Sequence, residues 1–418
     1  MPAIELSAAH GSVGSVSSVR ECPVCDCRLV QPLHSMRFFL PDAHPLADGY
    51  DVVACLACGA VYADTPSFQA DYDRYYADSS RYSDPRTGTG AGVQAWDDAR
   101  LEATARMVAD LLPDRTARIA DIGCANGGLL RWFARLGFDH LLGVDPSPAC
   151  VTAAAEIPGV EARRGTIFDL PLEPASVECV MLSHVLEHVR DVGAAVANLR
   201  NVLSTNGTAY VEVPDATRYA ECLAAAFQDF NVEHINHFSP TSLTNMLRRG
   251  GFEVEHVGQK TIEASPGVPY PAVWAVARAT VSRGTPGVQP DQTLAGCIRD
   301  YVDRSAAAIA VYDAFLDRAL ADVPEIVVWG TGQTTLTLLS STRVGGSRVV
   351  AFTDSNPLYH GRRLAGRPVL PPEDVAGIDA PILVGSIIHR RAITDRIREL
   401  GLPNPVVTLD VARPLFQA

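Results

Sequence analysis

The stretch Ile119–Pro148, IADIGCANGGLLRWFARLGFDHLLGVDPSP, decides how this chain is read. Ile119 to Ile122 is a short apolar run, Gly123 to Gly128 a turn, Leu129 to Leu136 a helix, and Leu141 to Val144 a second apolar run ending in Asp145. Short apolar runs bounded by turn residues read as buried strands, and glycines let a backbone come close to a ligand. Asp145 stands 22 residues beyond Gly123, a spacing that suits a carboxylate gripping a ribose diol. The unit is therefore predicted to bind a nucleotide cofactor.

Two cofactor classes compete for it. For a dinucleotide the triplet Gly123, Ala125 and Gly128 is a degraded G-x-G-x-x-G that leaves Asp121 unexplained. For S-adenosylmethionine, Asp121 at the strand's end can hold the methionine ammonium, while Gly123, Ala125 and Gly127 leave room for the sulfonium side chain. Asn126 in the same turn, Pro146 beside Asp145, and His184 after a later strand are further candidates for cofactor contact. Ile167 to Pro171 could place Asp169 near the adenine amine, and Val177 to Leu182 reads as the fourth strand. SHVLEHVRD, a helix beginning near Asp191, and the turn and strand VLSTNGTAYVEVPD follow. From Ile119 to about Val257 this order resembles the class I S-adenosylmethionine-dependent methyltransferases. The competing reading is a nucleotide-sugar or nicotinamide enzyme with a decayed fingerprint.

A length of 418 residues suggests two or three domains. With 47% hydrophobic and 20% charged residues the composition is that of an ordinary soluble globular protein. The formal net charge of -13 argues against a broad polyanion-binding surface, so no nucleic-acid partner is expected. No apolar run reaches the roughly 18 residues of a membrane span, so no membrane partner is expected either. The start, MPAIELSAAHGSVGSVSSVRE, lacks a secretory signal and reads as a disordered lead-in, which points to the cytoplasm.

Four of the ten cysteines form two knuckles, Cys22-Pro23-Val24-Cys25 and Cys55-Leu56-Ala57-Cys58. Two such pairs can close one tetrahedral thiolate site, so structural zinc is expected on Cys22, Cys25, Cys55 and Cys58. Redox use is the competing idea, although such a pair usually opens a helix after a strand and does not come twice. Cys27 is an alternative to Cys25 as a ligand. Cys124, Cys150, Cys179, Cys222 and Cys297 are scattered and read as buried apolar side chains.

Three blocks emerge. Residues 1–87 hold the cysteine site and begin the tyrosine-rich stretch DYDRYYADSSRYSDPRTGTGAG. Residues 88–280 hold the cofactor core, from a helix around Trp96 to Leu112 to strands near Phe252 to Val257 and Ala272 to Ala277. In residues 281–418, beyond the linker SRGTPGVQPDQ, a long helix over Leu294 to Leu320 precedes Ile326-Val-Val-Trp-Gly330-Thr-Gly332-Gln, a second strand and glycine turn. Val349 to Asp354 is its second strand, and Thr335 stands where a third glycine belongs. The expected fold class is α/β: a class I methyltransferase core of Rossmann type, flanked by a small zinc-binding domain and a second Rossmann-like domain with a substrate-binding or scaffold role.

Phe230-Asn231-Val232-Glu233-His234-Ile235-Asn236-His237-Phe238-Ser239 falls where a loop could close over the acceptor. Histidine titrates near neutral pH and can take a proton, and a neighbouring acid can fix its tautomer. The plainer reading is a polar loop that caps the helix starting at Ser239 or Thr241. His184 and His188, four residues apart, could suit a metal on a helix, but the sequence offers no evident third ligand.

The knuckles, Tyr75-Tyr76 with Ser79-Ser80, the cofactor core, Glu233-His234 before Phe238-Ser239, and the terminal glycine-turn block together resemble the deoxysugar C-methyltransferases. That resemblance runs from about Cys22 to the C-terminus. It implies methylation of C3 of a nucleotide-linked (dTDP-type) 4-keto sugar, with His234 as the base, Glu233 orienting it or binding sugar, and Tyr76 in the active site. A proton beside a ketone is acidic enough for a side-chain base, and the enolate oxygen then needs a donor such as Tyr76, His188 or His237. The chain departs from the family at Asn231, where a tyrosine is usual, at His237, where another aromatic is usual, and in the spacing of Tyr76 from the serine pair. Two other readings remain: an O- or N-methyltransferase of another small metabolite, and a zinc-ribbon module acting on RNA. A monomer or homodimer is expected.

Overall fold

The computed structural model describes residues 15–41, 44–78, 92–112, 114–280, 287–342, 344–345 and 348–409. Ser79, Ser80, the glycine-rich loop through residue 91 and the first fourteen residues lie outside them.

The first block is a meander of β1 (Val16–Ser17), β2 (Leu29–Arg37), β3 (Gly49–Cys55) and β4 (Val61–Asp64), followed by helix α1 (Gln69–Asp78). The lead-in expectation needs correction from residue 15 onward. Val16 and Ser17 pair with Val30 and Leu29, and the amides of Val19 and Arg20 both donate to the Asp64 carboxylate at 2.9 Å.

In the second block, α2 (Ala95–Ala109) precedes β5 (Ile119–Ile122), α3 (Gly128–Arg135), β6 (Leu141–Asp145), α4 (Pro148–Ala155), β7 (Val160–Arg164), β8 (Val177–Ser183), α5 (Val192–Val202) and β9 (Leu203–Pro214). Next come the two-residue β10 (Asn236–His237), α6 (Pro240–Arg249), β11 (Phe252–Ser265) and β12 (Val268–Ala279). The sheet order is β11-β12-β9-β8-β5-β6-β7. Strands β9, β8, β5, β6 and β7 run parallel, and the β11–β12 hairpin is antiparallel at one edge. Strand β5 is buried throughout, as a parallel strand covered on both faces should be. Its neighbours β6 and β8 lie on opposite sides, so the crevice at its carboxyl end is a topological switch point, where ligands of open α/β sheets bind. The hairpin runs eight residues further along β11 than the sequence suggested, because β12 pairs with it from Ala279 back to Val268, with register shifts near Glu255 and Ala264.

Helix ends follow their sequence signals. Ser147 caps α4 with Pro148 behind it, and Ser239 caps α6 through a reciprocal pair with Ser242, also with a following proline. The loop's histidines were expected to cap this helix; the cap is instead Ser239 itself.

The third block contains α7 (Leu294–Ala319), β13 (Ile326–Trp329), α8 (Gln333–Ser341), β14 (Val349–Thr353), β15 (Arg363–Leu364), β16 (Arg367–Leu370), β17 (Ile382–Val384), α9 (Arg390–Glu399) and β18 (Val406–Val407). Its sheet, β15-β16-β14-β13-β17-β18, is parallel except at β15. A second Rossmann-like unit is thus present.

These blocks are not separable at residues 87 and 88. β10 belongs to the second block in sequence, yet it adds to the first block's sheet, with Asn236 opposite Tyr62 and His237 opposite Val61. One apolar core joins Phe38, Tyr50 and Tyr72 of the first block, Tyr219 and Phe230 of the second, and Tyr301, Ile326 and Phe352 of the third. Asn236 ties the joint together: its Nδ2 donates to the carbonyls of Leu186 at 2.8 Å and Val189 at 2.7 Å, and its Oδ1 accepts from buried Arg20 at 3.0 Å. Asn236→Ala leaves a guanidinium and two carbonyls short of partners, so unfolding by urea should show a loss of about 3 kcal/mol. Val257→Ala, at an exposed position, should stay within about 0.5 kcal/mol of wild type. Equal effects would contradict the role given to Asn236.

Candidate active site

At the switch point the turn after β5 is shaped for a ligand. Gly123 and Gly127 have φ of 77° and 74°, and a Cβ on Gly123 would meet Val185 Cγ2 at 2.7 Å. Ala125, at φ 46°, directs its amide to Asp145 Oδ2 at 2.9 Å, while Ser147 N donates to Asp145 Oδ1 at 2.8 Å. Asp145 is thus held rigidly at the end of β6. Asp121 is buried beneath the turn. Burial, with Asp145 close by, pushes its carboxyl up to about 7. Asn126 is only 5% exposed, and neither its Oδ1 nor its Nδ2 has a hydrogen-bond partner among the described residues. A buried amide in that state calls for a polar ligand. Pro146 follows Asp145, and Asp169 lies exposed in the loop after β7.

His184 comes one residue past β8 at φ 58°. Its Nδ1 lies 3.3 Å from Glu187 Oε1 and its Nε2 3.2 Å from Glu212 Oε1. Burial disfavours charge on this ring, but the two carboxylates prevail and raise it to about 8. Glu212 is also paired with Lys260 Nζ at 2.5 Å and accepts from the Tyr210 hydroxyl. Burial opposes ionisation of Glu212, yet His184 and Lys260 hold its carboxyl well below the usual range.

Glu233 and His234 lie at the mouth of the crevice. The amides of both donate to Asn231 Oδ1 at 2.9 Å. Asn231, whose carbonyl accepts from Tyr50 at 2.9 Å, therefore shapes the turn that presents them. Glu233 accepts from the Tyr75 hydroxyl at 2.8 Å and the Tyr76 hydroxyl at 3.2 Å, so helix α1 of the first block braces this carboxylate. His188 Nδ1 is 3.2 Å from the Glu233 carbonyl, and the His188 and His234 rings meet edge to face at 4.8 Å. Glu233, His234, Tyr76 and His188 are thus brought together.

His237 is not with them. It is 1% exposed in β10, packed against Phe230 and Tyr219, and burial, with Arg20 nearby, pulls it down to about 3. It is a neutral core ring, because the pairing with β4 turns it inward, and the expected role as an enolate donor is withdrawn.

The sequence reading missed Tyr75, Glu187, Glu212 and Lys260. Tyr75 and Glu187 stand beside residues it did single out, whereas Lys260 arrives through the unexpected length of the hairpin.

The sulfurs of Cys22 and Cys58 are 3.6 Å apart and those of Cys25 and Cys55 3.4 Å, and all four lie within 4.8 Å of one another. Four thiolates about a 2.3 Å radius stand roughly 3.8 Å apart in a tetrahedron, so this set fits a metal ion. Cys27 points away, its Sγ meeting the Leu29 amide at 3.4 Å. Cys124, Cys150, Cys179 and Cys222 are buried as expected, but Cys297 is half-buried.

Residues 96–257 match the family model described as a methyltransferase domain. The chain is a methyltransferase. It is 27% identical over 183 residues to a ubiquinone biosynthesis O-methyltransferase of Azorhizobium caulinodans, covering 41% of this chain and 70% of that protein. It is also 30% identical over 141 residues to a probable S-adenosylmethionine-dependent methyltransferase of Mycolicibacterium smegmatis, covering 33% of this chain and 52% of that one. Solved structures that resemble part of it include the geranyl diphosphate C-methyltransferase of Streptomyces coelicolor A3(2), with a TM-score of 0.38 and 16% identity over 52% of this chain and 98% of that one. The methyltransferase uses S-adenosylmethionine, and the orphaned Asn126 amide, the glycine turn, Asp121 and Asp145 fit that cofactor. No described helix is long and apolar enough to cross a membrane.

To hold the cofactor's ammonium, as the sequence reading expects, Asp121 must be ionised. Affinity for S-adenosylmethionine should therefore rise with pH, levelling off above about 7. In the cofactor-free protein the sign is opposite for stability. The fold holds the Asp121 proton more tightly than the unfolded chain does, so this contribution is present in acid and lost between about 4 and about 7. Calorimetric titration across that window should show the rise in wild type and a flat, weak response in Asp121→Asn. A flat wild-type profile would contradict this assignment.

Proposed function

We propose that the methyltransferase acts on C3 of a dTDP-type nucleotide-linked 4-keto-deoxysugar, and that Cys22, Cys25, Cys55 and Cys58 hold a structural zinc ion. The observation that carries the acceptor reading is the convergence of three blocks on one crevice. Glu233 and His234 stand at the cofactor end, braced by Tyr75 and Tyr76. Tyr75 also lines a cavity of about 90 Å³ together with His44 and, from the third block, Thr331, Tyr359 and Arg362. An elongated acceptor with a sugar at one end and phosphates near Arg362 matches that layout.

S-adenosylmethionine supplies a methyl group made electrophilic by its sulfonium. The chain's own residues make the carbon nucleophilic. His234 takes the C3 proton, and the electron pair left on carbon is shared with the keto oxygen. The Tyr76 hydroxyl, whose bond to Glu233 is the looser of the two tyrosine contacts, turns its proton to that oxygen. Glu233 keeps His234 and the sugar in register. Burial of the crevice between blocks keeps water from competing.

A second reading, methyl transfer to oxygen of a small metabolite, is favoured by the ubiquinone biosynthesis O-methyltransferases among its relatives. Proton exchange separates the two. With a dTDP-4-keto-deoxysugar in deuterium oxide and S-adenosylhomocysteine in place of the donor, wild type should wash deuterium into C3, read by NMR. His234→Gln should lose about a hundredfold or more in that exchange. No exchange with any such sugar, together with methylation of a hydroxyl acceptor, would establish the second reading.

A further inference from the structure

We propose that Glu187, His188 and His234 form a second metal site, taking one divalent transition cation through a carboxylate oxygen and two imidazole nitrogens. It stands at the mouth of the crevice and is distinct from the cysteine site.

Three observations carry this. First, the candidate ligand atoms of the three residues lie within 4.8 Å of one another, close enough for one ion to reach them all. Second, Glu187 is 1% exposed, and neither carboxylate oxygen accepts a hydrogen bond among the described residues. A buried carboxylate without donors is costly. The nearby cation cannot account for it alone, because His184 is shared with Glu212 and approaches Glu187 no closer than 3.3 Å. Third, His188 is oriented as metal-binding histidines are. A carbonyl only accepts, so the 3.2 Å contact between His188 Nδ1 and the Glu233 carbonyl places the proton on Nδ1. Nε2 is then the nitrogen that faces Glu187, at 3.8 Å. A backbone carbonyl holding the far nitrogen is the usual support of an imidazole ligand. The sequence offers no evident third ligand for the His184–His188 pair. The fold supplies Glu187 and His234, on a 3-10 turn and a loop instead of one helix, and leaves His184 behind them.

Two nitrogens and one carboxylate oxygen suit zinc, iron, cobalt or nickel and leave coordination positions open for the acceptor. An ion there would draw electron density from an acceptor oxygen, whether a keto group or a hydroxyl. The site therefore does not depend on the sugar reading. It bears on His234 variants: in the ion-free protein His234 is the base proposed above, whereas with the ion bound its lone pair would go to metal and Glu233 would be the carboxylate left to receive a proton.

The full-length protein, dialysed against micromolar Zn²⁺ and desalted, tests this by metal counting with plasma mass spectrometry. Wild type should retain one ion per chain more than Glu187→Gln, and one more than His188→Gln. Cys58→Ser should lose a different ion and keep this one. Equal counts in wild type, Glu187→Gln and His188→Gln overturn the second site, whatever the cysteine site holds. Zinc-edge absorption on wild type alone guards against misfolded variants: a mixed sulfur and nitrogen or oxygen shell supports the site, and sulfur alone refutes it. Loss of both metal and exchange in His234→Gln assigns His234 as a ligand.

Discussion

Two residues of β10, paired with β4, set the geometry on which the active site depends. Ala63 N donates to the Ile235 carbonyl at 2.9 Å, and Ile235 N donates to the Glu187 carbonyl at 2.8 Å. A single extended segment is thereby hydrogen-bonded to the first block's sheet on one side and to the 3-10 turn after β8 on the other. Glu233 and His234 immediately precede that segment. Their position relative to His188 is a consequence of backbone ladders, which are hard to shift without breaking several bonds together. Arg20 and Asn236 close the joint from beneath, where a lost partner would leave buried polar groups without water.

This constraint explains why the first block accompanies the methyltransferase core. A sheet of four short strands has little core of its own, and a tetrathiolate ion would stabilise its turns. In return it carries α1, whose Tyr75 and Tyr76 reach Glu233, and whose Gln69 accepts from the Arg190 amide at 2.9 Å. The crevice gathers buried polar groups that the polypeptide only partly compensates: the Asp121 carboxyl and the Asn126 amide on the cofactor side, Glu187 on the acceptor side. Ligands that are cationic or rich in donors remove that cost when they bind, which is how binding and charge are coupled here.

Much of the fold was legible because parallel strands buried on both faces are written as largely apolar runs. IADI, VECVML and IVVW each became a strand, and the glycines after the first and last became the turns. The cofactor end was legible for the same reason, since one local βαβ unit contains it. The acceptor end was less so. Its members come from α1, the turn after β8, and the loop before β10, and no periodicity records that these meet. His237 misled because polar residues in a loop look alike until pairing decides which face inward, and both residues of β10 are buried. A strand contributed to a distant sheet, as β10 is, likewise leaves no break in composition.

The most direct measurement is hydrogen–deuterium exchange on the full chain, comparing wild type with a Cys22→Ser, Cys58→Ser double variant that loosens the first block. If β10 positions the site through β4, amides of residues 61–64 and of 233–238 should lose protection together, while β5 and β6 stay protected. Loss confined to residues 15–64, with residues 233–238 exchanging as in wild type, would mean that the acceptor loop is held by the methyltransferase core alone, and the interlocked site described above would be wrong.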